Sequence, residues 1–450
     1  MNKILLQKVL AISALACVIL IALYMVSGVV DDRQKYRDDA VKSIEGSYAG
    51  PQILIGPVLV RPYTQTIETT ETNDKGIKKT SVRKEELTAT SFPRELNMHG
   101  AMLPSERRHG LYRVEVYELQ GQLKGHFDIV DPQTEGTVVW GEPYLALSVT
   151  DVRGIVGRPK VLVNGIEETM LQGAPATTGW QPNLRVPIRG ISALKGHVDF
   201  AVDLNLAGTE TLGMAPVGDT NLLEIRSDWR SPLFGGQFLP RTRDVANTGF
   251  HAVWEVSSLA SATQVQLEAN PVKTIDLMSV SLTTLLDPYS LSNRAIKYGI
   301  LFVVLTFGGF FIFELMKQLP IHPIQYLLVG FGLAIFFLLL VSFSEHMAFG
   351  FAYLIASIGC IGLLTFYLSF VLRSTARGIG FGAMLTSFYA AIYGLLISED
   401  NALILGSLML FFLLAGVMVL TRKVDWYRGA SENLKETYNF NAPPPPPLAS

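Results

Sequence analysis

The sequence predicts an α+β membrane protein. It should have an N-terminal transmembrane helix, a large mostly-β extramembrane region that is sandwich-like, and a C-terminal bundle of five transmembrane helices. Three observations predict this. Of 450 residues, 49% are hydrophobic and 17% charged, and mean hydropathy is +0.31, too apolar for an average soluble chain. The apolar excess is concentrated in one run near the N-terminus and five after Lys297. Between them lies a polar stretch of about 265 residues whose apolar positions alternate, long enough to bury its own core.

The first apolar run covers 4–30, between Lys3 and Lys8 at its start and Asp31-Asp32 at its end. "SALAC" ending at Cys17 has the look of a lipoprotein signal. The run continues beyond it as "VILIALYMV", which exceeds a cleaved h-region and reaches the roughly 20 residues of a spanning helix. An uncleaved anchor over 1–30 is expected.

"DDRQKYRDDAVKSIEGSYAG" continues the helix as a stalk. Tyr36, Ala40, Ile44 and Tyr48 recur at helical spacing, and Gly50-Pro51 ends the pattern. From there to about residue 293 the period is two. "QILIGPVLVRPY", "GLYRVEVYELQGQLKGHFDIV", "TVVWGEPYLALSVTDV", "KVLVNG", "HVDFAVDLNLAG", "NLLEIRSDW" and "FHAVWEV" read as strands. "NDKG" at 73–76 and "VNG" at 163–165 are turn signals. "LKGHFDI" at 123–129 echoes "LKGHVDF" at 194–200, each preceded by Arg-Val (Arg113-Val114 and Arg185-Val186), so two duplicated β modules are a reading of this region. His126 and His197 hold equivalent places in the echo. No carboxylate or thiol is read at a ligand spacing recurring around both. They are expected to be solvent-facing strand residues, and no metal or other cofactor is assigned. The two cysteines, Cys17 and Cys360, lie in apolar runs, so the polar region carries no disulfide.

The later apolar runs cover 296–316, 324–343, 349–372, 379–397 and 402–420. Each can cross a hydrocarbon core of about 30 Å. Charge alternates in the connectors. Lys317 and His322, then Arg373 and Arg377, then Arg422, Lys423 and Arg428 mark one side, whereas Glu345 and then Glu399 and Asp400 mark the other. The positive-inside rule puts the basic connectors, and both termini, in the cytoplasm. Trp426 and Tyr427 suit an interfacial belt there. Domains are therefore expected at 1–30 (anchor), 31–293 (β-rich, across the membrane from the cytoplasm), 294–421 (bundle) and 422–450 (cytoplasmic tail). The tail ends in "NAPPPPPLAS", a solvated polyproline segment.

Ionisable groups in spans are functional leads because they are costly there. The candidate polar positions are Glu314, His322, Gln325, Glu345 and His346, with Lys297 at the start of its span. All lie near helix ends. Glu314 is expected either to snorkel to the interface or to pair with Lys317, Arg373 or Arg377. His322 and His346 face opposite sides of the membrane and cannot share a metal. Neither H-E-x-x-H nor G-x-S-x-G occurs, so no catalytic residue is assigned. "KQLPIHP" reads first as a hairpin connector, with Pro320 and Pro323 breaking the helix, and second as a site pairing Glu314 with His322. "GFGLA", "GFAYLIASIGCIG" and "GIGFGAML" supply small residues for close helix packing. A net charge of -2 argues against a nucleic-acid partner.

Six stretches are similar to the inner-membrane protein CreD family. They are "AGPQILIGPVLV" (49–60), "VTDVRGI" (149–155), "GGQFLPRTRDV" (235–245), "FFIFELMKQLPIHPIQYLLVG" (310–330), "LLLVSFSEH" (338–346) and "KVDWY" (423–427). The likeness covers nearly the whole chain, and only the proline-rich tail departs from it. It implies a Gram-negative inner-membrane protein tied to envelope integrity, placing 31–293 in the periplasm. It further implies relatives under two-component control by nutrient or cell-wall stress and linked to colicin tolerance and β-lactam response. It carries no catalytic residues. The leading expectation is a non-enzymatic protein whose periplasmic domain binds an envelope component or partner, with the lipid bilayer around its bundle. The alternatives are a small-solute or lipid transporter, which needs a polar cavity between spans, and an intramembrane enzyme using Glu314 and His322.

Overall fold

A computed structural model describes residues 3–422 except 73–77, 176–179, 190–195, 270–273, 283–287, 318–320 and 399–401. The turn at 73–76, the acidic pair Glu399-Asp400, Trp426, Tyr427 and the polyproline tail lie outside the described residues. The chain divides into two compact units, one of residues 1–36 with 286–450 and one of residues 37–285.

Helix α1 (Lys3–Ser47) runs without a break from the apolar segment into the charged stalk. The strands follow as β1 (Gln52–Thr72), β2 (Lys78–Ser91), β3 (Glu95–His109), β4 (Tyr112–Ile129), β5 (Thr137–Trp140), β6 (Tyr144–Val149), β7 (Ile155–Val163), β8 (Ile166–Glu168) and β9 (Leu171–Gln172). After them come β10 (Leu184–Pro187), β11 (Gly196–Thr209), β12 (Thr211–Met214), β13 (Thr220–Ser227), β14 (Leu233–Gly236), β15 (Thr242–Ala246), β16 (Gly249–Ser257), the short helix α2 (Thr263–Glu268) and β17 (Met278–Ser281).

These strands make two sheets. The first runs β14-β17-β12-β1-β6-β10-β9, with β2 and β5 also paired to β1. The second runs β15-β16-β13-β3-β4-β11-β7-β8. One hydrophobic core joins them. Leu54, Leu59, Leu145 and Leu147 of the first sheet cluster with Met98, Leu119, Phe127, Leu206 and Trp254 of the second. Alternation is the cause on strands such as β13 and β16, where every second residue points inward. The "VNG" turn forms as read. Asn164 and Gly165 take φ 47° and 79° between β7 and β8, the two left-handed positions of a tight hairpin turn. The stalk packs Ile44 against Val114 and Val116 of β4.

The described parts of the echoed segments lie side by side, with β4 and β11 pairing antiparallel from Val116↔Thr209 to Ile129↔Gly196. Their preceding Arg-Val pairs do not correspond in space. Arg113-Val114 lies within β4, whereas Arg185-Val186 lies on β10 of the other sheet.

The remaining unit holds α3 (Pro288–Lys317), α4 (Pro323–Ser344), α5 (Phe349–Val371), α6 (Thr375–Ile397) and α7 (Ala402–Thr421). Together with α1, the helices α3 to α6 are long and apolar enough to cross a membrane, which makes five among the described residues. Six were read from the sequence. The difference is α7, whose described apolar stretch, Ile404–Gly416, is shorter. Buried Ile19 and Leu23 of α1 pack against glycines of α4 and α3. A Cβ on Gly330 would come 2.5 Å from Ile19 Cγ1, and one on Gly299 would come 3.0 Å from Leu23 Cδ1. Hydrogen in place of a side chain is what lets α1 approach this closely.

Candidate functional site

Glu314 is the charged residue most deeply buried among the described residues of the helical unit, at 4% exposure. It sits near the C-terminal end of α3, where four carbonyls lack helical partners and the helix dipole disfavours an anion. Among the described residues three donors compensate. Lys8 Nζ of α1 forms an ion pair with Oε1. Ile321 donates its backbone N–H to the same oxygen at 3.4 Å. Tyr326, fully buried in the first turn of α4, donates its hydroxyl to Oε2 at 2.8 Å. Of the expected partners, Arg377 instead donates to the Leu372 carbonyl at 3.2 Å, and the side chain of Lys317 lies outside the described residues. The partner is Lys8, which the sequence marks only as a flanking positive charge.

His322 and Gln325 form the N-terminal cap of α4. His322 Nδ1 accepts from Ile324 N–H at 3.3 Å, and Gln325 Oε1 accepts from His322 N–H at 3.2 Å. Pro323 occupies the first helical position, where its missing N–H costs nothing. Among the described residues no hydrogen bond joins Glu314 to His322. The acid is held by α1 and α4, and the imidazole is occupied as a cap.

Glu345 and His346 end α4 at its other extreme. Arg33 Nε of α1 lies 3.3 Å from Glu345 Oε1. His346 Nδ1 lies 3.2 Å from the Ser342 carbonyl and donates to it. His322 and His346 are thus separated by the length of α4, about 33 Å. Lys8 and Arg33 are about 37 Å apart along α1. The two ion pairs therefore bracket an apolar slab of bilayer thickness.

Between the brackets the packing is aromatic. Phe302 meets Tyr389 at 4.5 Å, and Phe336 meets Tyr389 at 4.6 Å and Tyr353 at 5.4 Å. Tyr353 donates to the Tyr389 carbonyl at 2.8 Å, and Tyr389 donates to Cys360 Sγ at 3.1 Å. A cavity of about 370 Å³ between α5 and α6 is lined by Tyr353, Leu354, Ser357, Ile358, Tyr389 and Tyr393. A second, of about 580 Å³ between α6 and α7, is lined by apolar residues such as Leu395, Leu408 and Phe412.

The second β-sheet carries a histidine–carboxylate cluster on its solvent face. Glu224 of β13 meets His99 of β3 at 2.9 Å, His251 of β16 at 2.9 Å, and Arg226 Nη2 at 2.6 Å. The Arg226 guanidinium, with both histidines, holds the Glu224 carboxyl down at about 2. The carboxylate therefore stays ionised, in an ion pair with Arg226.

Five apolar helices among the described residues, an ion pair near each end of the anchor helix and a two-sheet domain inserted in sequence between the first and second of these helices define a multi-pass membrane protein with a large β domain. The family model for "Inner membrane protein CreD" matches residues 4–427. The chain belongs to the CreD family of inner membrane proteins. It is 34% identical over 439 residues to Inner membrane protein CreD of Escherichia coli (strain K12), covering 95% of each chain. Among solved structures, an M1 zinc metallopeptidase from Deinococcus radiodurans aligns with 42% of each chain, at 10% identity and a TM-score of 0.23.

Proposed function

We propose that this chain is a non-enzymatic scaffold supporting envelope integrity under stress. Its β domain lies in the periplasm and binds an envelope component or partner protein there, and its helices anchor that domain. The observation that carries this reading is the placement of charge in the helical unit. The buried carboxylate Glu314 sits at a helix end with three donors, while the middle is filled by Phe302, Phe336, Tyr353 and Tyr389. Proton and ion pathways need ionisable groups along their length, and a catalytic acid needs a free oxygen facing a substrate. The basic connectors lie at the cytoplasmic face, with Lys8 and Glu314, and Arg33 and Glu345 lie at the outer face.

In cells, a photo-crosslinker placed on exposed positions of the β domain, such as Leu259, tests the binding part. Cell-wall stress should enrich specific peptidoglycan, lipid or protein adducts. A yield no higher than that of an unrelated membrane protein bearing the same crosslinker ends this reading. Reporter fusions within 37–285, active only outside the cytoplasm, check the orientation.

A further inference from the structure

Strand β4 carries Gly125-His126-Phe127-Asp128, and β11 carries Gly196-His197-Val198-Asp199. Their antiparallel register places His197 opposite Asp128 and Asp199 opposite His126. Opposed residues share a face and successive residues alternate. Phe127 and Val198 therefore enter the core, and both are buried. His126, Asp128, His197 and Asp199 form a two-by-two patch on the solvent face. An approximate two-fold axis between the strands exchanges one His-x-Asp for the other.

The four groups are already drawn together. The imidazoles of His126 and His197 lie with centroids 4.5 Å apart. His197 Nδ1 is 3.1 Å from Asp128 Oδ1, and its Nε2 is 3.1 Å from Asp199 Oδ1. One donor atom from each of His126, Asp128 and His197 lies within 4.8 Å of the others.

We propose that His126, Asp128 and His197 bind a divalent transition-metal ion of the zinc class. This does not rest on the reading of function given above. Two imidazoles and a carboxylate are the donor set of such ions, whereas calcium and magnesium require all-oxygen shells. Bonds of about 2.0–2.1 Å to a tetrahedral ion put donors roughly 3.3 Å apart. Closing from 4.8 Å needs only side-chain rotation, because more than half of the His197 and Asp128 side chains is exposed. The backbone is held by β3 on one side and β7 on the other. In the loaded site His197 Nδ1 exchanges Asp128 for the metal and Asp128 turns to ligate the same ion. Asp199 keeps Nε2 and orients the ring, as second-layer carboxylates do at metal-bound histidines. Asn164 steadies Asp199 in turn, its Oδ1 accepting from the Asp199 N–H at 2.9 Å. The sequence reading recognises no carboxylate recurring around both histidines. An aspartate does recur two residues after each, and it gains meaning only when the register opposes the two motifs. The Glu224 cluster differs because Arg226 occupies its carboxylate.

The test uses untagged full-length protein in detergent, stripped with chelator and titrated with Zn²⁺ by calorimetry and with Co²⁺ by visible absorption. One saturable equivalent is expected. His126→Ala and His197→Ala should each weaken it by at least about tenfold, while His99→Ala and His251→Ala leave it unchanged. His126→Cys should keep Co²⁺ binding and add a sulfur-to-cobalt charge-transfer band, which a structural role could not produce. Binding that is unsaturable, or unchanged in the His126→Ala/His197→Ala protein, overturns the proposal. The metal-free melting temperature of each variant reports that it folds.

Discussion

Tyr326 donates its hydroxyl to Glu314 Oε2 at 2.8 Å across the connector between α3 and α4, and Lys8 takes the other carboxylate oxygen from the N-terminal helix. The hairpin is thereby closed by a residue that lies 306 positions from the acid.

This triad should contribute to stability as a unit. Removing one partner of a buried charge strands the other. Because Lys8 remains 30% exposed, Glu314→Ala is expected to cost about 2–3 kcal/mol, and Tyr326→Phe about 1 kcal/mol. A double-mutant cycle with Lys8→Met and Glu314→Gln, followed by thermal unfolding in detergent, should give a coupling above about 0.5 kcal/mol. Additive effects would mean that the pair is not a stabilising contact.

His322 offers a way to separate capping from chemistry. If its role is to cap α4, His322→Ala should cost about 1 kcal/mol and His322→Asn or His322→Ser should restore most of it. Activity in a complementation assay should follow the same order. Loss of complementation in His322→Asn with normal stability would point back to the imidazole itself.

Gly330 should tolerate no side chain while Ile19 faces it. Gly330→Val is expected to destabilise the helical unit by about 1–3 kcal/mol, and Ile19→Ala should recover part of that by opening the space. The size of the recovery, read from melting temperatures of the two single variants and the double variant, measures the contact.

Glu115 gives a pH signature to the β domain. Burial, together with Glu106 opposite it and Glu210, pushes its carboxyl up from 4.5 to about 7. A raised pKa favours the protonated folded form, so this contribution is fully present below about pH 4.5 and is lost as pH rises through 7. Glu115→Gln should leave the melting temperature unchanged near pH 4. At pH 8 it should raise it by about 2–4 °C, corresponding to roughly 1 kcal/mol for this half-exposed group. An equal shift at both pH values would refute the assignment.

Much of this architecture could be read in the chain because it follows from local periodicity. The alternation in "HVDFAVDLNLAG" becomes β11, and the continuous apolar run of 324–343 becomes α4. Asn164-Gly165 marks its hairpin because few residues accept two left-handed backbones in succession. Short or exposed strands are different. β15 buries none of its five residues, so it leaves no alternation to read. Pairings between distant segments were equally silent. Glu314 announces that it needs a cation, but only the fold selects Lys8 over the nearer Arg373 and Arg377. His126 and His197 are conspicuous in sequence, but their aspartates become neighbours only through the register of β4 and β11.

The glycine-lined seat of the anchor also fixes an order of events during synthesis. Ile19 leaves the ribosome early, while Gly330, against which it packs, follows about 300 residues later. At about 5–20 residues per second, the first span waits some 15–60 seconds in lipid before its seat exists. Throughout that interval the β domain is translated and has the opportunity to fold with only one end of its chain secured. The newborn protein is then a single-span precursor, and docking of the anchor is the step that turns it into a closed bundle.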